Sequence, residues 1–321
     1  MPMRTTLIAL FCQAALVAAD RFEPTEFGWK DIDSRPYAGV YVNGLMAVAW
    51  SEAAGFYRWS TDAGNTWSGD VRPVLTSGDA DRPLQAVATP TGIYVRTASG
   101  AVYGRTGATL SAGWAVPMAS RLEVAGNGLL AVEEGGGSAT AVIRDDRVAV
   151  RMPGRLVFAF AGWVASQDGS TVRSTDGREV RSTDLRQGMP APPDTFPSST
   201  GPGGEAMRGR DGARWNFSAG TLSRATEPTP GLTILSFGYG DAGAAGMGAA
   251  LVRRQDGDRS ALAVFAINRF DQALTIDRDA SAQAGQDITA AAAAGRDAYG
   301  WRYIVAGPSG LRIGRLGAPR P

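Results

Sequence analysis

Short apolar runs recur along the chain, each opened by a small residue, closed by a turn and followed by a run rich in Arg, Ser and Thr. Seven segments share this shape: Asn43–Val48, Thr91–Arg96, Asn127–Val132, Gly162–Ser166, Glu205–Arg210, Ala249–Arg253 and Trp301–Ala306. The turns that follow are Gly-containing: Ser99-Gly100, Gly135-Gly136-Gly137, Asp168-Gly169, Asp211-Gly212, Asp256-Gly257 and Ser309-Gly310. Such turns join adjacent antiparallel strands, because Gly and Asp tolerate the positive φ that tight hairpins need. Gly55–Trp59 alternates as a half-buried strand does. Ala290–Ala294 is read as a small-residue strand, and long amphipathic helical patterns are absent. Beyond residue 19 the chain divides into roughly 43 residues per unit if there are seven units, which is the size of a four-stranded repeat. Six units also fit the uneven spacing.

The sharpest local pattern is Ser60-Thr61-Asp62-Ala63-Gly64-Asn65-Thr66-Trp67, which reads S-x-D-x-G-x-T-W. Asp62 is expected to accept bonds from backbone N–H groups two or three residues on. Gly64 suits a position with φ > 0. Thr66 resumes β structure, and Trp67 supplies a large apolar ring beside the turn. A decayed copy stands at Arg173-Ser174-Thr175-Asp176-Gly177. The octapeptide resembles the Asp-box, or BNR repeat, of sialidase-like β-propellers. The resemblance implies an all-β propeller of about seven four-stranded blades, in which Ser60, Asp62, Gly64, Thr66 and Trp67 are structural and lie away from the ligand face. Gly28–Ile32 is expected to pair with the last blade and close the ring, which removes an exposed sheet edge.

Composition narrows the chemistry. The chain has 321 residues, 44% hydrophobic and 20% charged, enough for a substantial core. The formal net charge of +1 gives no global field to draw nucleic acid. Lys30 is the only lysine, and no histidine occurs. That excludes Ser-His-Asp and Cys-His catalysis and any zinc site built on imidazole. Acid–base work would fall to Asp, Glu or Tyr, and carboxylate-only sites for Ca²⁺ or Mg²⁺ stay open. Arg4, the apolar stretch Leu7–Leu16 and the small residues Val17-Ala18-Ala19 read as a signal peptide over residues 1–19. The stretch is too short for a membrane span. Residues 20–321 then form a single propeller domain, exported to a periplasm or the medium; a retained N-terminus points instead to cytoplasmic assembly into a virion. The one cysteine, Cys12, lies inside this leader, so no disulfide holds the domain.

Several constellations invite a functional reading. The resemblance to sialidases implies an arginine triad for a substrate carboxylate, a Tyr–Glu nucleophile pair and an aspartic acid. The nearest fragment to the expected Arg-Ile-Pro is Ser34-Arg35-Pro36-Tyr37, which lacks the Ile, so no catalytic residue is carried over. Gly238–Gly243 fits G-x-G-x-x-G but lacks βαβ surroundings, and is read as a loop between blades. Asp256-Gly257-Asp258 and Asp277-Arg278-Asp279 are read as solvated turns rather than metal sites. Gln187–Gly204 carries five prolines, too many for a central strand, and is read as a loop. The leading expectation is a non-catalytic binding or assembly module for a protein or glycan partner, without a cofactor, metal, nucleic acid or membrane span. A sialidase-type glycoside hydrolase and a phage virion or tail component are the alternatives.

Overall fold

The computed structural model describes residues 27–126, 128–160, 162–184, 195–201, 204–209, 213–218, 221–224, 227, 230, 232–239, 247–256, 259–268, 275–279, 288–297 and 300–317. Strand β1 (Phe27–Asp33) leads into seven antiparallel sheets. The first holds β2 (Gly39–Asn43), β3 (Met46–Ser51) and β4 (Phe56–Ser60). The second holds β5 (Pro83–Ala88), β6 (Ile93–Thr97) and β7 (Val102–Tyr103), followed by a one-turn helix, α1 (Ser111–Trp114). The third is β8 (Ala119–Gly126), β9 (Leu129–Glu134), β10 (Ala139–Arg144) and β11 (Arg147–Pro153). The fourth is β12 (Arg155–Phe160), β13 (Trp163–Asp168), β14 (Thr171–Thr175) and β15 (Val180–Asp184). The fifth is β16 (Thr195–Gly201), β17 (Gly204–Gly209), β18 (Arg214–Ser218) and β19 (Thr221–Arg224). The sixth is β20 (Leu232–Tyr239), β21 (Met247–Asp256), β22 (Arg259–Asn268) and β23 (Thr275–Asp279). The seventh is β24 (Ala290–Asp297), β25 (Gly300–Gly307) and β26 (Gly310–Gly317).

The leading strand of each sheet packs against that of the next, and β24 returns to β2. The fold is a β-propeller. Closure comes from β1, which pairs antiparallel with β26 from Phe27↔Leu316 to Asp33↔Leu311 and becomes the outer strand of the seventh sheet. The ladder bonds of β26 that would face solvent are thereby filled from the other end of the chain.

Stacking sheets around a ring buries both faces of each inner strand. Ala47 and Ala49 face the layer shared with the seventh sheet, among Ile304, Ala306 and Leu311. Met46 and Val48 face the layer shared with the second sheet, among Ala86, Ile93 and Val95. This is why Met46–Trp50 is a continuous apolar run. Gly55–Trp59 departs from the half-buried expectation for the same reason: Phe56 joins the first layer and Tyr57 the second, both fully buried. Val87, Tyr94 and Val102 meet Leu122 and Leu130 in the next layer, and Ala131 and Val142 meet Leu156 and Val164 in the one after.

Four local expectations are corrected. The first two sheets have three strands rather than four, and their fourth strand shrinks to a single bridge, Tyr57↔Val71 or Tyr103↔Thr109. Pro73 cannot donate to a ladder, and Gly107 at φ 81° turns the chain back at once. Thr195–Gly201 is a strand despite Pro197, because the register shifts between Pro197 and Ser199 and a bulge absorbs the missing donor. Gly238 and Tyr239 end β20, which pairs with β21, so the G-x-G-x-x-G segment joins two strands of one sheet rather than two blades; Gly240–Gly243 lies outside the described residues. The acids Asp277 and Asp279 sit in β23, not in a turn.

Candidate functional site

A meander sheet has two sets of connections. Those between first and second strands and between third and fourth lie on one face of the ring; those between second and third strands, and from sheet to sheet, lie on the other. The octapeptide 60–67 follows β4, a third strand, and touches the β2–β3 turn through Ala63 N–H to Leu45 O at 2.8 Å. It therefore belongs to the first face.

Within the octapeptide the work is shared by Ser60 and Asp62. The Ser60 hydroxyl donates to Asp62 Oδ1 (2.7 Å) and accepts from Gly64 N–H (2.9 Å). Asp62 accepts from Thr66 N–H (2.8 Å) and from the Thr66 hydroxyl (2.6 Å), four residues on rather than two or three. Burial pushes the Asp62 carboxyl up, and these bonds outweigh it, leaving it below its ordinary value. Gly64 has φ 84°, and Ala63 precedes it at φ 54°. Trp67 is half-buried against the layer between the first and seventh sheets and donates its indole N–H to Gly64 O at 2.9 Å. In the decayed copy, Asp176 accepts from Arg178 N–H (2.9 Å) and Glu179 N–H (3.2 Å).

On the opposite face, the connection from β1 to β2 builds a cluster around Asp33, Arg35 and Tyr37. The Arg35 fork meets Asp70 through Nη1–Oδ2 (2.7 Å) and Nη2–Oδ1 (3.0 Å), and reaches Asp33 Oδ2 at 2.6 Å. Arg58 joins the same two acids, Nε to Asp70 at 2.6 Å and Nη1 to Asp33 at 3.0 Å. Arg72 lies 3.9 Å from Asp70 and donates to Ala54 O. Under them lies Phe56, with the Arg35 guanidinium 4.2 Å from its ring centroid and Tyr37 edge-on at 5.6 Å. The arginine hydrogen bonds hold the Asp33 and Asp70 carboxyls at about 2. Burial raises the Tyr37 phenol, and its hydrogen bond to Asp33 raises it further.

Three arginines, a tyrosine and two carboxylates are the ingredients expected of a sialidase, and Arg35 is the residue of the near-match fragment. Their geometry serves another end. The guanidinium donors of Arg35 and Arg58 are committed to the chain's own acids, so this cluster offers no open triad to a substrate carboxylate. The Tyr37 phenol is moved away from the anionic form a nucleophile needs. The cluster clasps the closing strand to the first sheet. Arg58, Arg72 and Asp70 were not singled out by sequence reasoning. Their only signal is alternation within a strand and its aftermath, which does not say that residue 33 lies beside residue 70.

The same face carries a polar groove of about 450 Å³ between the third and fourth sheets, lined by Gly136, Gly137, Ser138, Arg155, Gln167 and Asp168. Among the described residues, no group of three or more His, Cys, Asp and Glu is placed to hold a metal ion, and no helix is long and apolar enough to cross a membrane.

No known family pattern matches the chain, and no curated protein matches its sequence. Solved structures do. A protein in "Crystal Structure of Mitotic Checkpoint Complex" superposes with a TM-score of 0.61 at 13% identity, over 93% of this chain and 94% of that one. "YCF48 bound to D1 peptide" gives 0.53 at 12% identity, over 92% and 98%. "Crystal structure of BBS1N in complex with ARL6DN" gives 0.55 at 12% identity, over 91% and 96%. At such identities the likeness establishes the β-propeller fold.

Proposed function

We propose that this chain is a non-catalytic Asp-box propeller that binds or assembles a protein or glycan partner on the face bearing the groove. The observation that carries the reading is the commitment of Arg35 and Arg58 to Asp33 and Asp70: a cluster that holds arginines, a tyrosine and carboxylates is occupied with ring closure. The open polar groove between the third and fourth sheets, on the same face, suits recognition of polar main chain or sugar better than enclosure of a reacting bond. Two of the similar solved structures are titled as complexes with a peptide or a protein, which agrees with a binding role. The octapeptide serves as a hairpin staple on the other face, and export by residues 1–19 is part of the same reading.

The test is cross-linking and capture with the full chain as bait, beside a variant carrying Asp168→Arg in the groove. A specific partner lost on that substitution supports the reading. Turnover of a fluorogenic sialoside that disappears in Arg35→Ala would replace it with the hydrolase reading.

A further inference from the structure

Arg96, like Arg312, has a buried Nε without a hydrogen-bond partner. It lies on β6, one residue before the Thr97–Ala101 turn, opposite Gln85 on β5. Strand alternation places Tyr94, Arg96, Gln85 and Val87 on the side of the second sheet that meets the third. Gln85 confirms the direction: its amide donates to Leu122 O at 2.8 Å and accepts from Leu122 N–H at 2.9 Å. Arg96 Nε is sealed from solvent and has no hydrogen-bond partner. The acids of the facing sheet are engaged elsewhere. Glu134 holds Arg151 at 2.9 Å, Glu123 holds Arg121 at 3.1 Å, and Glu133 accepts from Leu156 N–H and Ser120. Asp81, on the approach to β5, is taken by Thr97, Ser99 and Tyr103.

A guanidinium does not give up its proton, so a half-buried one without an anion is under-compensated. Burial alone pushes Arg96 below its ordinary value, whereas hydrogen bonds from Asp70 and Asp33 push Arg35 up.

We infer that Arg96 is the anchor of a carboxylate-binding site between the second and third sheets, receiving an acidic side chain or a chain end of the partner. With Nε sealed, the contact runs through the two terminal nitrogens, a paired geometry that suits a carboxylate. The partner itself rests on the binding-module reading; the site does not.

The experiment titrates the full chain with three acetylated tetrapeptides: tetraglycine with a free carboxylate, its amide, and an amide carrying one Asp. Inorganic phosphate is a fourth probe. The readout is the Arg96 side-chain N–H resonance, assigned by its loss in Arg96→Met. At least one carboxylate peptide is expected to shift it saturably, the plain amide to leave it in place, and Arg96→Met to weaken binding about tenfold or more. Which carboxylate peptide binds distinguishes a chain end from a side chain. Melting of Arg96→Met at or above the wild-type temperature is the folding control, because an uncompensated charge has been removed. No response to either carboxylate, equal response to the amide, response to phosphate alone, or a steep loss of stability in Arg96→Met overturns the site. A captured protein partner that Arg96→Met retains in full would also overturn it while leaving the binding module standing.

Discussion

Removal of Arg35 tests the clasp directly. Arg35→Ala deletes a bidentate contact to Asp70, the contact to Asp33 and the stacking over Phe56. A charge-assisted pair in a network is worth more than an isolated surface pair, and the stacking adds about 0.5–1 kcal/mol. Solvent screening of the partly exposed guanidinium reduces the total, and Arg58 still serves both acids. The expected loss is about 2 kcal/mol, or roughly 3 °C in melting temperature for a chain of this size. The control is Arg82→Ala, which breaks the Glu52 pair at 3.2 Å between two exposed side chains and is expected to cost under about 0.5 kcal/mol. Acid titration supplies an independent signature. Asp33 and Asp70 are lowered from 3.8 to about 2, so their contribution is complete above pH 3.8 and is lost as pH falls through about 2. Urea unfolding between pH 5 and 2 should show that loss in the wild type and a flatter profile in Arg35→Ala. Equal melting of Arg35→Ala and Arg82→Ala, or identical acid profiles, would show that the cluster is ordinary surface charge and that closure rests on the β1–β26 ladder alone.

Further outcomes follow from other parts of the ring. Asp62→Ala removes the acceptor for the Thr66 amide and hydroxyl and should cost about 1–3 kcal/mol by urea unfolding, while leaving partner capture intact on the opposite face. Gln85→Leu strands both Leu122 backbone groups and should cost about 2–3 kcal/mol, with accelerated hydrogen exchange at the Leu122 amide; unchanged exchange would show that the amide bridge is dispensable. Gly310→Ala places a methyl against the Asp33 carbonyl at φ 132°, so it should destabilise by about 3 kcal/mol or more and erase the acid signature of the clasp. Deletion through Asp33 uncovers the edge of β26 and should yield oligomers in size-exclusion chromatography.

Much of the architecture is written locally. The Gly-containing turns at 99–100, 135–137, 168–169 and 309–310 join adjacent strands, and Gly28–Ile32 lies on the last sheet as expected. These features are legible because φ > 0 and two-residue alternation are properties of neighbouring residues. The octapeptide is legible for the same reason, since its bonds span only four residues. Reading Gly55–Trp59 as half-buried failed because burial on the second face depends on a sheet that comes later in the chain. The clasp is the clearest case of what only the tertiary structure decided. Asp33 and Asp70 are 37 positions apart in sequence, and Arg35 alone resembles a fragment of a catalytic motif. Ring closure sets Arg35 and Arg58 against both acids, and the same closure that assembles the cluster consumes its charge. Arg96 is the converse: its sequence neighbours are those of any strand arginine, and only the packing of two sheets seals its Nε and directs the nearby acids elsewhere.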